Sequence, residues 1–211
     1  MAEYRTVAAE ASAEIEVKKS HFIGHIAPVV SPQEANAFLA RIKDENKKAR
    51  HNVHAYRLAD GKAGFSDDGE PQGTAGKPLL DVIGGAAVVN TVIVVTRYFG
   101  GILLGTGGLV RAYGAAAKLA LEAARIVAMQ SVVCYTTALD YTYYGRVSAL
   151  IPACGGEIEN TVYQDTITLL YYIPEAEAPR FLNALSELTY GAVAAVETGR
   201  AYRQKPADNR Q

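Results

Sequence analysis

The stretch from Val92 to Gly114, VIVVTRYFGGILLGTGGLVRAYG, constrains the fold more than any other part of the chain. Val92, Ile93, Val94, Val95 and Thr96 are β-branched and suit a buried strand. Gly100 and Gly101 stop that strand. Gly105, Gly107 and Gly108 then supply a backbone that can take positive φ or approach another group closely. From Leu109 the apolar positions Leu109, Val110, Tyr113, Ala116, Ala117 and Leu121 follow helical spacing, which predicts a helix running to about Ala128. A glycine turn at a helix start leaves backbone N–H groups directed outward, where they favour anions. Arg97 at the strand's end and Arg111 in the first helical turn add positive charge to the same place.

The segments before this stretch alternate between the two periods. Residues 13–30 predict two strands interrupted at Lys19, Ser20 and His21. Ser31-Pro32-Gln33-Glu34 is a capping box with proline at the first helical position, and the helix it opens buries Ala35, Phe38, Leu39 and Ile42. That helix ends in a basic run, Lys43, Lys47, Lys48 and Arg50. The run is either a solvated face complementing the C-terminal dipole or support for an anion partner. Residues 52–58 predict a third strand, with His51 just before it. Residues 65–76, FSDDGEPQGTAG, predict a loop, and residues 77–89 a short helix with Pro78 in its first turn.

After Ser131 the texture changes. Strands are expected at 132–139, 157–163, 166–173 and 191–202, and helices at 144–154 and 175–188, with Pro152 disturbing the last turn of the first. The order β-α-β-β-α-β is the ferredoxin-like arrangement. The expected division is a first domain over 1–131, a second over 132–204 and a flexible tail over 205–211.

Charge supports the division. The first 131 residues carry +2 and the remainder −3, within a chain of net charge −1. No global basic field advertises nucleic acid, but an anionic partner would prefer the first part. Cys134 and Cys154 sit among apolar residues without metal-ligand spacing, which suits buried thiols in a reducing compartment. The first residues contain acids and no apolar core of a signal peptide, and no apolar run reaches membrane-spanning length. A cytoplasmic protein with no membrane association is expected.

Three groupings invite chemistry. Asp67, Asp68 and Glu70 stand close enough to bind a divalent cation or to supply a general base. The plainer expectation is that Asp67 or Asp68 caps backbone N–H groups while Glu70 pairs with an arginine. No metal site and no cofactor is expected. His51 and His54 fall on opposite faces of an extended chain, so they are not expected to share a metal, although His51 is free to meet the acidic loop. The glycine turn Gly105, Thr106, Gly107 and Gly108, with Arg97 and Arg111, lacks both the Lys-Ser/Thr ending of a P-loop and the dinucleotide fingerprint. It serves as a general anion or phosphate seat, or as a packing device. Tyr56, Tyr98, Phe99 and Tyr113 lie near these positions and suit either base stacking or core packing.

The residues also carry a resemblance. SDDGEPQGTAGKP at 66–78 and TRYFGGILLGTGGLVRAY at 96–113 resemble the two signature stretches of the Impact/YigZ family, and ARHNVHAYRL at 49–58 resembles a third. The resemblance implies an α+β protein. Its first domain would have the ribosomal-protein-like β-α-β fold also seen in the fourth domain of elongation factor G, and its second the ferredoxin-like βαββαβ fold of that factor's fifth domain. Eukaryotic relatives act in translational control, so the resemblance implies a non-enzymatic, translation-linked protein with RNA, the ribosome or another part of the translation machinery as partner. In that case Arg97, Arg111 and the N–H groups at Gly105–Gly108 would contact phosphate, supported by Lys47, Lys48 and Arg50. Two alternatives stand beside it. One is a metal-assisted enzyme on a small phosphorylated or nucleotide-like substrate, using His51, Asp67, Asp68 and Glu70. The other is a protein-interaction module.

Overall fold

The computed structural model describes residues 3–205. Of the tail expected over 205–211, residues 206–211 lie outside the described residues. The chain divides into two compact units, one spanning Tyr4–Ala128 and one from Met129 onward that includes Glu3.

The N-terminal unit holds β1 (Glu3–Val7), β2 (Ala11–Val17), β3 (Ser20–Pro28), α1 (Pro32–Glu45), β4 (His51–Arg57), β5 (Ala63–Ser66), α2 (Gly76–Gly85), β6 (Thr91–Tyr98) and α3 (Thr106–Ala123). Its antiparallel sheet runs β2-β3-β6-β4-β5, so β6 lies between two partners. The alternation of β6 assigns its side chains to two layers. Val92 and Val94 join Ala35, Phe38 and Ile42 of α1 on one face. Ile93 and Val95 join Leu79 and Ile83 of α2 and Ala112, Tyr113 and Ala116 of α3 on the other. Burial on both faces is why this strand is apolar from Val92 to Val95.

Helix α1 begins as its cap residues dictate. Ser31 is extended, and its hydroxyl accepts the Glu34 N–H at 3.2 Å. The reciprocal arm reaches one residue further back than a capping box requires, since the Glu34 carboxylate accepts from the Val30 N–H at 2.8 Å. The helix stops at Glu45, so Lys47, Lys48 and Arg50 lie in the turn that follows.

The C-terminal unit contains most of β7 (Ile126–Leu139), then α4 (Tyr141–Ala153), β8 (Glu157–Tyr163), β9 (Ile167–Pro174), α5 (Ala178–Thr189) and β10 (Val196–Gln204). Its strands run β10-β7-β9-β8, and the element order is βαββαβ. Val147 and Ile151 of α4, with Phe181 and Leu185 of α5, pack on Tyr135, Leu169 and Tyr171 of the sheet. Asp140 caps α4 by accepting the Thr142 N–H at 2.9 Å. Pro152 lies inside α4, one residue before its last position, Ala153, and so forgoes one N–H donor of the last turn. Cys154 is buried and Cys134 half-buried, both as free thiols.

Several boundaries differ from the sequence expectation. Phe65 and Ser66 belong to β5, so the polar loop begins only at Asp67. Helix α3 starts at Thr106, inside the glycine run, and ends at Ala123 rather than near Ala128. The residues that follow it enter β7, which begins six positions earlier than Val132. Helices α4 and α5 are shifted to 141–153 and 178–189, and β10 starts at Val196.

Two histidines make the stability of the N-terminal unit pH-dependent. His25 and His54 are held below the ordinary imidazole value, chiefly by desolvation, with Lys43 adding to the effect at His54. The unfolded chain therefore binds these protons more readily than the fold does. The stability they contribute is present above the unfolded value, about 6.5, and is lost as pH falls from there through the lower folded values. Urea unfolding between pH 7.5 and 5 should show a falling free energy, and the double variant His25→Leu/His54→Leu should flatten that slope. An unchanged slope would remove these two groups from the account.

Candidate functional site

A cavity of about 380 Å³ opens at the start of α3, entirely within the N-terminal unit. Sheet register supplies its floor. Arg97 of β6 pairs with Phe22 of β3 on one side and His51 of β4 on the other. Side chains directly opposite in a ladder share a face, so Phe22, Arg97 and His51 form one row beneath α3. The guanidinium lies 5.4 Å from the Phe22 ring centre and 5.5 Å from that of Phe99.

The loop after β5 supplies the acid. Asp67 accepts the N–H groups of Gly73 (2.8 Å), Ala75 (3.0 Å) and Gly76 (2.8 Å), tying the loop to the start of α2. Asp68 accepts the Asn52 N–H at 2.7 Å and pairs with Lys43 at 2.9 Å. Burial raises the pKa of both carboxyls, but these donors outweigh it and hold each below the ordinary range. Left-handed backbone at Asp68 and Gly69 then turns the chain, and Glu70 points inward.

Glu70 is the hub. Its side chain is 4 % exposed, and one oxygen accepts from Arg97 Nη1 at 2.6 Å and from the Tyr113 hydroxyl at 2.7 Å. Burial, and then the bond to Glu70, push the Tyr113 phenol strongly upward, so it stays a donor. His51 Nδ1 lies 2.7 Å from the Asp68 carbonyl oxygen. A carbonyl only accepts, so Nδ1 carries the hydrogen and Nε2 is left on the cavity side, 3.9 Å from Glu70. Arg97 is also nearly closed off, at 6 % exposure, and its Nε has no hydrogen-bond partner.

The opposite wall is the head of α3. Gly105 is its N-cap at φ 72°, a conformation that favours glycine, and no side chain caps the helix. The N–H groups of the first helical residues thus lack intrahelical partners beside the cavity, which Gly105 and Thr106 line. Phe99, Leu103 and Leu104 form an apolar rim, with Leu103 among the most exposed large apolar side chains.

The structure thus gathers Arg50, His51, Glu70, Arg97, Gly105 and Thr106 around one cavity. Gly108 and Arg111 line a neighbouring depression of about 270 Å³ with Lys18, and Leu104 is shared between the two. Lys47 and Lys48 are exposed and line neither, and Lys47 pairs with Asp44 at 2.8 Å. Asp67 and Asp68 support the loop from outside the cavity. His54 sits in register with Val94, on the α1 side of the sheet and away from His51. Among the described residues no group of three His, Cys, Asp or Glu side chains is arranged to hold a metal ion. No described helix is long and apolar enough to cross a membrane.

Lys18 was not among the site residues expected from the linear sequence. It reaches the site because the β2–β3 hairpin folds beside α3, with Lys18 and Lys19 both at positive φ. The part of Tyr113 in holding Glu70 was equally hidden, since the sequence offers that ring for core packing or base stacking and not as a donor to a carboxylate.

Comparison with known proteins places this geometry. Residues 18–121 match the Impact N-terminal domain, a span that contains every residue of the cavity wall. Residues 137–192 match a domain of unknown function, DUF1949. IMPACT family member YvyE of Bacillus subtilis is 35% identical, over 98% of this chain and 96% of that protein. IMPACT family member YigZ of Escherichia coli is 38% identical, over 84% and 89% respectively. Protein IMPACT of Mus musculus is 43% identical over 42% of this chain and 29% of its own length. A solved structure titled as the crystal structure of an hypothetical protein matches with a TM-score of 0.65 at 36% identity, covering 94% of this chain and 98% of that one.

Proposed function

The chain belongs to the Impact family, and from that premise we propose that it is a translation-linked protein that binds RNA through the cavity and depression at the head of α3. The family's general link to translation supports the first half of this reading. The second half rests on one observation: the uncapped start of an 18-residue helix lines the same cavity as Arg50, Arg97 and the exposed Phe99 and Leu103. Helix N–H groups and arginine favour phosphate, and exposed flat or apolar side chains favour unstacked bases. Arg50 and Arg111 are exposed, and neither forms an ion pair within 4.0 Å among the described residues, so both are available to neighbouring phosphates. The metal-assisted enzyme gains less from the geometry, because the Asp67 and Asp68 carboxylates are already engaged by backbone N–H groups.

Arg97 is a poor probe of RNA binding by charge reversal, because it is buried against Glu70. Arg50→Glu with Arg111→Glu is the sharper test. Co-sedimentation with single-stranded RNA and with ribosomes should show binding at low salt that weakens as salt rises, and the double variant should reduce the log–log salt slope by about one per lost contact. Absence of low-salt binding, or binding indifferent to the double reversal, would overturn the proposal.

A further inference from the structure

We propose that the cavity at the head of α3 selects one base of a bound RNA, an unpaired guanine, through two hydrogen-bond acceptors, Glu70 Oε2 and His51 Nε2. The inference rests on the reading that this face binds RNA, and it names the base that the face prefers.

The two oxygens of Glu70 are not used alike. Oε1 accepts from Arg97 Nη1 at 2.6 Å and from the Tyr113 hydroxyl at 2.7 Å. Oε2 accepts from no described residue. Among the described residues, the side-chain nitrogen and oxygen atoms that are both unpartnered and sealed off are His25 Nε2 and Arg97 Nε. Glu70 Oε2 is not one of them. It is therefore unpartnered and still reachable, on a side chain 4 % exposed that lines the cavity. His51 supplies the second acceptor. Its Nδ1–H is committed to the Asp68 carbonyl, which leaves the Nε2 lone pair on the cavity side, 3.9 Å from Glu70 Oε1. A carboxylate oxygen held this deep without a donor is costly, and a ligand N–H would satisfy it.

Charge decides what kind of donor fits. The Glu70 charge is already balanced by Arg97, and Arg50 lines the same cavity, so a cationic donor would meet two arginines. Among the described residues no third His, Cys, Asp or Glu completes a metal site. A neutral N–H donor meets neither obstacle, and the edge of a base is neutral. Guanine carries two donors side by side, N1–H and the N2 amino group. Adenine and cytosine set a ring-nitrogen acceptor beside their amino group, and uracil flanks its N3–H with two carbonyls. Two neighbouring acceptors match the first of these edges and oppose the others. A guanine already in a Watson–Crick pair has no such edge to offer, so the base must be unpaired. The cavity, about 380 Å³, has room for one base, and the exposed Phe99 and Leu103 give it a surface to pack on.

Short uridine RNAs carrying a single central guanosine, inosine, adenosine, cytidine or uridine should be titrated against the full chain by fluorescence anisotropy. The guanosine RNA should bind about tenfold more tightly than the uridine RNA, the lower end of what a two-bond base contact discriminates. Inosine lacks only the N2 amino group and should lose much of that gain. The same guanosine within a duplex should show none of it. Glu70→Gln tests the acceptor directly. Arg97 and Tyr113 hold the amide oxygen at the Oε1 position, so the amide N–H groups take the place of Oε2 and a donor meets a donor. The guanosine-to-uridine affinity ratio should fall to about one, and a ratio does not depend on how much of the protein is folded. His51→Leu leaves the Glu70–Arg97 pair in place and should lower the same ratio, which keeps the test available if Glu70→Gln does not fold.

Equal affinity for the guanosine and uridine RNAs, or a ratio that neither variant lowers, overturns the inference. RNA binding that persists without base preference leaves the RNA reading standing. Free guanosine 5′-monophosphate separates the two sources of the base. Weaker binding than that of the guanosine RNA supports RNA as the source. Binding of the free nucleotide without any RNA binding, lost in the same variants, supports the two acceptors and removes the RNA reading.

Discussion

Glu70→Ala is expected to destabilise the N-terminal unit by about 3–5 kcal/mol, the usual result of removing one partner of a buried ion pair. The carboxylate is 4 % exposed and carries two bonds, from Arg97 Nη1 and from the Tyr113 hydroxyl. Its removal strands a guanidinium that is 6 % exposed and leaves a buried phenol without an acceptor. The contacts of Arg97 with Phe22 and Phe99 offer partial compensation only. Urea unfolding measures the loss. A second variant separates the cause from mere loss of volume: adding Arg97→Met removes the stranded charge and should recover most of the deficit. A loss of less than about 1 kcal/mol, the scale of an exposed pair, would show that water reaches Glu70 and that the hub is not closed.

Gly100→Ala is the second large effect, and its origin is backbone contact. A Cβ at Gly100 would stand 2.0 Å from the carbonyl carbon and oxygen of Lys19 and 2.4 Å from the Ser20 nitrogen. None of these is the end of a flexible side chain, so the β2–β3 hairpin itself must move. That hairpin already holds Lys18 and Lys19 at φ 48° and 64°, a region that non-glycine residues rarely occupy. Overpacking of this kind costs about 1–3 kcal/mol, and the upper end is expected here. The shift should also reach the site, because the Ser20 hydroxyl accepts the Gly100 N–H at 3.2 Å and approaches Arg97 Nη2 at 3.5 Å. Gly85→Ala is the reference, since a Cβ there meets nothing within 4 Å. If Gly100→Ala is no more destabilising than Gly85→Ala, and leaves the Arg97 and Ser20 resonances in place, the close approach is not real in solution.

What was legible in the chain was whatever local chemistry dictates. The β-branched run 92–96 became the central strand, the Ser31–Glu34 box became a capped helix, and the β-α-β-β-α-β order after Ser131 became the ferredoxin-like sheet. Strand β5 was hidden because four residues, one of them glycine, give too short an alternation to stand out from the polar loop beside them. The end of α3 was hidden because Ile126, Val127 and Ala128 continue an apolar run that suits helix and strand alike. The site was half legible for a related reason. Glycines at a helix start mark the anion-favouring wall from local sequence alone. The row Phe22–Arg97–His51 is a matter of register between three strands far apart in the chain, and no local pattern records it. The burial of Arg97 followed from that register, and it sets the guanidinium against Glu70.

The placement of Arg97 and Glu70 on different kinds of segment has a consequence in time. Strand β6 is hydrogen-bonded along both edges and covered on both faces, so its amides should exchange with solvent only when the whole unit opens. Glu70 belongs to the loop between β5 and α2, which is anchored by a few side-chain bonds and can open alone. The two halves of one ion pair therefore run on separate clocks. The cavity has a floor that is fixed for the lifetime of the fold and a wall that can leave and return many times within it.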